Sequence, residues 1–73
     1  MNPADLEMVR LAAASFRTEP AREREIHDRY GNVTRYWIQV NHLIEHAEVM
    51  AALPVQCRML RERRARGQRS RSA

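Results

Sequence analysis

The fold of this chain is decided by residues 26–44, whose sequence is IHDRYGNVTRYWIQVNHLI. The stretch divides at Gly31, because a residue without a Cβ atom is favoured where a chain reverses with a positive φ angle. Apolar residues stand five positions before this glycine and six and nine positions after it, at Ile26, Trp37 and Val40. This spacing is typical of a helix-turn-helix unit, whose second helix enters the major groove of DNA.

The helix predicted after the turn, at about 33–45, is amphipathic. At 100° per residue, its apolar side chains fall within an arc of roughly 120°. That arc comprises Val33, Tyr36, Trp37, Val40, Leu43 and Ile44. The opposite side of the helix carries Arg35, Ile38 and His42, and the flanks carry Thr34, Gln39, Asn41 and Glu45. An isoleucine on such a face can contact a thymine methyl group or a protein partner, although single exposed apolar residues are common.

We expect the polar side of this helix to contact DNA bases through Thr34, Arg35, Ile38, Gln39 and His42. Arg35 is the most natural reader of guanine, because a bidentate arginine contact contributes about 1–3 kcal/mol of discrimination. Asn41 would lie nearby, on phosphate or base. The alternative is that Arg35 forms a surface ion pair with Asp28 or Glu45.

The positive charge of the chain is concentrated near its C-terminal end. Residues 58–73 contain seven arginines and one acid, Glu62, within a chain of formal net charge +4. Clustered arginines attract phosphate without regard to base sequence, so we expect phosphate contacts from Arg58, Arg61, Arg63, Arg64, Arg66, Arg69 and Arg71. If four to six of them meet phosphates, log K falls with log salt at a slope of roughly −4 to −5. The alternative is a solvated charged face.

The remaining sequence predicts an all-α protein, a small bundle of four to five helices. The first helix is expected at 3–17, and a short helix or turn at 46–53. The second helix is expected at about 20–29, with Ile26 and Tyr30 on its buried side. Pro54 is expected to begin a last helix with an apolar seam of Val55, Met59 and Leu60. Gly67 is expected to end it, which gives a domain at 1–67 and a disordered basic tail at 68–73.

Part of the chain resembles a family of small actinobacterial and actinophage proteins. The likeness covers roughly 20–71 and is carried by Tyr30-Gly31, by Thr34-Arg35-Tyr36-Trp37, by Leu43-Ile44-Glu45 and by the arginine-rich last helix. Members resemble one another in an aromatic-glycine turn and a Thr-Arg-Tyr-Tyr helix. Here Trp37 replaces the second tyrosine, and the turn is one residue shorter. The resemblance implies a helix-turn-helix fold and a phage or prophage origin.

Several other classes of protein are disfavoured by the sequence. The chain has no apolar run of the roughly 20 residues that span a bilayer, and we expect no secretory signal. Its one cysteine, Cys57, suits a reducing bacterial cytoplasm. No glycine-rich phosphate loop or paired nucleophile and base is present, so we expect neither an enzyme nor a cofactor. His42 and His46 share a helix face, but no paired cysteines support a metal site.

These features favour a sequence-specific regulator that binds double-stranded DNA in the bacterial cytoplasm or nucleoid. A homodimer is plausible, because one short recognition helix reads few base pairs. The first alternative is a protein-interaction module that binds transcription machinery or another host protein, through Ile38 and the seam around Val55. The second alternative is RNA binding through the arginine-rich tail.

Overall fold

The computed structural model describes residues 2–72, with side chains for residues 2–66. Within residues 2–72 the chain forms helices and no strand, as the sequence predicts. The helices are α1 (Pro3–Ala13), α2 (Glu19–Tyr30), α3 (Val33–Leu43), α4 (Ala47–Ala52) and α5 (Pro54–Ser72). None of these helices combines the length and apolarity that crossing a bilayer requires.

The first three helices begin at residues that cap them. The side chains of Asn2, Thr18 and Asn32 accept hydrogen bonds from backbone N–H groups of the following turn, at 2.9, 3.2 and 2.9 Å. Such caps satisfy donors that a helix leaves unpaired at its N-terminus. Pro3 and Pro20 occupy the first turns of α1 and α2, where a missing N–H costs nothing.

The turn between α2 and α3 depends on Gly31. Its φ angle is 82°, and its N–H donates to the carbonyl oxygen of His27 at 2.9 Å. Within residues 2–72 no other residue has a positive φ angle. The predicted left-handed cap is therefore confirmed, and it leaves only Gly31 and Asn32 between the two helices.

The core forms where α1 packs against α3 and α5, α2 packs against α3, and α4 packs against α5. Tyr36 joins α1 to α3, because its hydroxyl donates to the carbonyl oxygen of Met8 at 2.6 Å. Burial is the main cause that raises the pKa of Tyr36 well above its usual range, and the nearby Tyr30 raises it further. The buried apolar residues are Val9, Leu11, Ala12, Ile26, Tyr36, Val40, Leu43, Ile44, Val49, Leu53, Cys57 and Leu60.

The first helix ends four residues before the predicted position, at Ala13. The reason lies in α2, where Arg22 is buried with 4% of its surface exposed. Its guanidinium donates to the carbonyl oxygen of Ala14 and to the carboxylate of Glu19. It also lies 5.1 Å from the centre of the Phe16 ring. These contacts hold residues 14–18 outside both helices, with Ala14 and Thr18 in extended backbone conformations.

Three further predictions about burial and helix length were wrong. Tyr30, predicted to be buried, is 37% exposed. Val55, predicted to belong to the apolar seam of α5, is 59% exposed, and Cys57 is buried in its place. Helix α5 passes Gly67, where it was predicted to end, and runs to Ser72. The division into a domain at 1–67 and a disordered tail at 68–73 stays a prediction.

Candidate nucleic-acid interface

The polar side of α3 faces solvent along its whole length. All five predicted base-reading residues are exposed, namely Thr34, Arg35, Ile38, Gln39 and His42. Ile38 has 54% of its surface exposed. The structure therefore brings these side chains together on one accessible face, which we call the α3 face. That this face contacts DNA stays a prediction.

The opposite side of α3 is held in the core. Tyr36, Val40 and Leu43 are buried, and Trp37 packs against the core cluster. The Tyr36 ring lies 5.0 Å from that of Tyr30 in α2 and meets the Trp37 ring edge-on at 5.3 Å. Rotating α3 about its axis would break these contacts and the hydrogen bond to α1. The α3 face is therefore presented by a helix with one fixed orientation.

Arg35 does not form the surface ion pair that was the alternative to its role as a base-reading residue. Among the side chains of residues 2–66, neither Asp28 nor Glu45 lies within ion-pair distance of Arg35. The backbone N–H of Arg35 donates to the side-chain oxygen of Asn32. Arg35 itself is exposed in the first turn of α3. The five N–H donors of its guanidinium group are thus available to a partner.

The arginines of α5 differ in how far they are engaged. Arg58, Arg63 and Arg66 are exposed and have no carboxylate partner within the part of the chain whose side chains are described. Arg61 and Arg64 are paired with Glu45. The two remaining predicted phosphate contacts, Arg69 and Arg71, lie outside the described side chains.

Glu45 connects the end of α3 to α5. Its Oε1 atom lies 2.6 Å from Nη2 of Arg64 and 3.5 Å from Nε of Arg61. The hydrogen bond from Arg64 lowers the pKa of Glu45, and the charges of both arginines act in the same direction. Sequence reasoning missed this pairing, because the partners are 16 and 19 residues apart and no local pattern connects them.

A small cleft places two α5 arginines beside α3. This cleft, of about 240 Å³, is lined by Trp37, Val40, Asn41, Leu60, Arg63 and Arg64. Arg63 therefore reaches the flank of α3 on which Asn41 lies. None of the five residues of the α3 face lines this cleft, so Arg63 brings positive charge to the flank of α3 at Asn41 and not to the face itself.

A wider groove lies on another side of α5. It has a volume of about 790 Å³ and is lined in part by Met50, Pro54 and Cys57. Arg58, Arg61, Arg64 and Arg66 also line it. The predicted phosphate-binding arginines thus do not form one set: Arg63 faces the cleft beside α3, Arg58 and Arg66 face the groove beside α4, and Arg64 lines both.

The described side chains show no arrangement suited to metal binding. Within that part of the chain, no three His, Cys, Asp or Glu side chains converge. His42 and His46 are both exposed. Burial raises the pKa of the Cys57 thiol, which keeps it in the less nucleophilic protonated form.

The fold and this surface define a small all-α protein whose last helix is rich in arginine. The chain belongs to a family described as "protein of unknown function (DUF3263)", which matches it over residues 1–72. No curated protein and no solved structure matches the chain. Family membership therefore assigns no activity to the chain.

Proposed function

We propose that this protein is a sequence-specific regulator of the helix-turn-helix class that binds double-stranded DNA. Helix α2, the turn at Gly31 and helix α3 would form the unit, with α3 in the major groove. The observation that carries the proposal is the α3 face: five predicted reading residues share one exposed side of a helix whose other side is buried. A helix that reads DNA sequence needs both properties, because its side chains must reach the base edges and must be held in a fixed orientation.

Sequence discrimination would come mainly from the first two turns of α3. The guanidinium of Arg35 can donate two parallel hydrogen bonds to the O6 and N7 atoms of guanine. Gln39, one turn further along, can pair in the same manner with adenine. Ile38 lies between them in sequence and, at 54% exposed, is placed to contact a thymine methyl group.

The arginines of α5 would supply attraction to phosphate. Arg63 is the best placed, because it is unpaired among the described side chains and lies beside the flank of α3. Arg58 and Arg66 carry charge on another side of α5. They raise the positive electrostatic potential around the protein and do not make one defined phosphate contact. Affinity for DNA of any sequence should therefore fall steeply as salt increases.

The proposed regulator acts by occupying DNA in the bacterial cytoplasm or nucleoid. A homodimer would double the number of base pairs read, since a single α3 covers one half-site. The resemblance of the Tyr30-Gly31 turn and the Thr34–Trp37 segment to actinobacterial and actinophage proteins supports a phage or prophage setting.

The proposal is tested by selecting binding sites from a pool of random duplex DNA with the full chain at moderate salt. A helix-turn-helix regulator enriches one sequence, with two half-sites about one helical turn apart if it binds as a dimer. A salt titration on the enriched site and on a random duplex of equal length then separates base reading from phosphate attraction. Equal affinity for both duplexes at every salt concentration would reject sequence-specific binding.

A second candidate, a protein-interaction module, is favoured by the apolar surface on α5. Val55 is 59% exposed at the start of the helix, directly after Pro54, which lines the wider groove together with Met50 and the buried Cys57. In that role the partner would be transcription machinery or another host protein. Binding of a partner protein would then be insensitive to Arg35→Ala and weakened by Val55→Ser, the reverse of what DNA binding predicts. RNA binding through the tail stays a prediction, because the side chains of Arg69 and Arg71 are not described.

A further inference from the structure

We infer that Glu45 is a specificity-determining residue, which withholds two arginines of α5 from phosphate and holds α5 beside α3. The inference rests on the proposed DNA binding and concerns the control of that same surface. Its basis is the junction in which one carboxylate oxygen of Glu45 lies 2.6 Å from Nη2 of Arg64 and 3.5 Å from Nε of Arg61.

The junction lies directly beyond the α3 face. The backbone N–H of Glu45 donates to the carbonyl oxygen of His42, the last of the predicted reading residues, at 3.2 Å. Arg61 and Arg64 are therefore close to where DNA would lie if α3 entered a groove. Phosphate oxygens and the Glu45 carboxylate would compete for the same guanidinium groups, since arginine binds both anions with the same fork of donors.

The competition acts unequally on the two kinds of binding. Non-specific binding consists of phosphate contacts, so it loses two of them when Arg61 and Arg64 stay on Glu45. Specific binding depends also on base contacts from α3 and on Arg63, which lines the cleft together with Asn41 and takes no part in the junction. Glu45 thus lowers affinity for DNA of any sequence more than affinity for the cognate site.

The test compares Glu45→Gln with Glu62→Gln. Both changes remove one negative charge, but Glu62 is an exposed residue of α5 with no ion pair among the described side chains. Binding is measured on a random duplex and on the selected site between 50 and 200 mM salt, the range over which phosphate contacts are strongly weakened. Thermal unfolding of both variants verifies that the fold is intact, which the exposed position of Glu45 favours.

Two additional phosphate contacts in Glu45→Gln should make the slope of log K against log salt steeper by about 1.8 on the random duplex. Over a fourfold rise in salt this is a further loss of about tenfold in affinity. The ratio of specific to non-specific affinity should fall, whereas Glu62→Gln should leave the slope within about 0.5 of the original, because it frees no arginine.

The possible outcomes separate this inference from the proposal beneath it. Equal slopes for Glu45→Gln and Glu62→Gln would overturn the role of Glu45 while leaving DNA binding intact. An unchanged specificity ratio in Glu45→Gln would overturn the role in specificity even if the slope became steeper. Absence of any salt-dependent duplex binding by the unaltered chain would reject the proposed function itself.

Discussion

The hydroxyl of Tyr36 in α3 donates a hydrogen bond to the carbonyl oxygen of Met8 in α1, over a distance of 2.6 Å. This contact joins residues 28 positions apart and attaches the candidate recognition helix to the first helix of the bundle. Tyr36 is 2% exposed, and its hydrogen bond to the half-buried Met8 is itself partly buried. The orientation of the α3 face depends on this attachment.

Replacing Tyr36 by phenylalanine should lower the free energy of unfolding by about 0.5–1.5 kcal/mol, the usual net contribution of one hydrogen bond, because the hydroxyl no longer donates to Met8. Tyr30→Phe removes the same hydroxyl from a residue that is 37% exposed, and it should change stability by less than about 0.5 kcal/mol. Urea unfolding of both variants measures the difference. Equal effects would show that the hydroxyl of Tyr36 contributes nothing specific.

The stability of the protein should fall in alkaline solution. Burial raises the pKa of Tyr36 above the value of about 10 found in unfolded chains, so above pH 10 the folded state binds more protons than the unfolded state. The free energy of unfolding then decreases with rising pH, by up to about 1.4 kcal/mol per pH unit for this one group. Between pH 9 and 11 the free energy of unfolding of Tyr36→Phe should therefore decrease less than that of the unaltered protein. An identical decrease in both proteins would contradict the raised pKa of Tyr36.

Gly31 is expected to tolerate asparagine better than alanine. Its φ angle of 82° strains any residue with a Cβ atom, although a Cβ placed there would contact nothing within 4 Å. The cost of Gly31→Ala is thus a backbone cost of about 1–2 kcal/mol. Gly31→Asn should cost less, because asparagine adopts left-handed geometry more readily. Thermal unfolding ranks the two variants, and a lower Tm for the asparagine variant would show that the turn has another requirement.

Arg22 is expected to be the arginine on which the fold depends most. It is 4% exposed and donates to Ala14 and Glu19, and hydrogen bonds from charged groups contribute about 1.5–3 kcal/mol each. Arg22→Ala should therefore destabilise the protein by more than 1.5 kcal/mol. Arg24→Ala, an exposed neighbour on the same helix, should stay within about 0.5 kcal/mol. Similar denaturation midpoints for the two variants would contradict the structural role of Arg22.

The features that could be predicted from the sequence are those that depend on nearby residues. The burial of Tyr36, Val40 and Leu43 follows from helical periodicity, which is a local property. The positive φ angle at Gly31 follows from the lack of a Cβ atom. These two local features define the α3 face without reference to any tertiary contact.

The features that were missed depend on packing between distant segments. The end of α1 at Ala13 depends on Arg22, whose guanidinium binds a carbonyl oxygen eight residues earlier in the chain. The exposure of Val55 and the burial of Cys57 depend on where α4 lies against α5. The junction at Glu45 likewise requires the placement of α5 against α3. Periodicity within one helix carries no information about these placements.

The central claim is tested most directly by repeating the selection of DNA sites with Arg35→Ala and, as a matched control, Arg17→Ala. Arg17 is an exposed arginine outside α2 and α3, without a partner among the described side chains. Arg35→Ala should lose the preference for guanine at one position of the site, at a cost of about 1–3 kcal/mol in discrimination, whereas Arg17→Ala should keep the whole sequence preference. An unchanged base preference in Arg35→Ala would contradict the assignment of α3 as the helix that reads DNA.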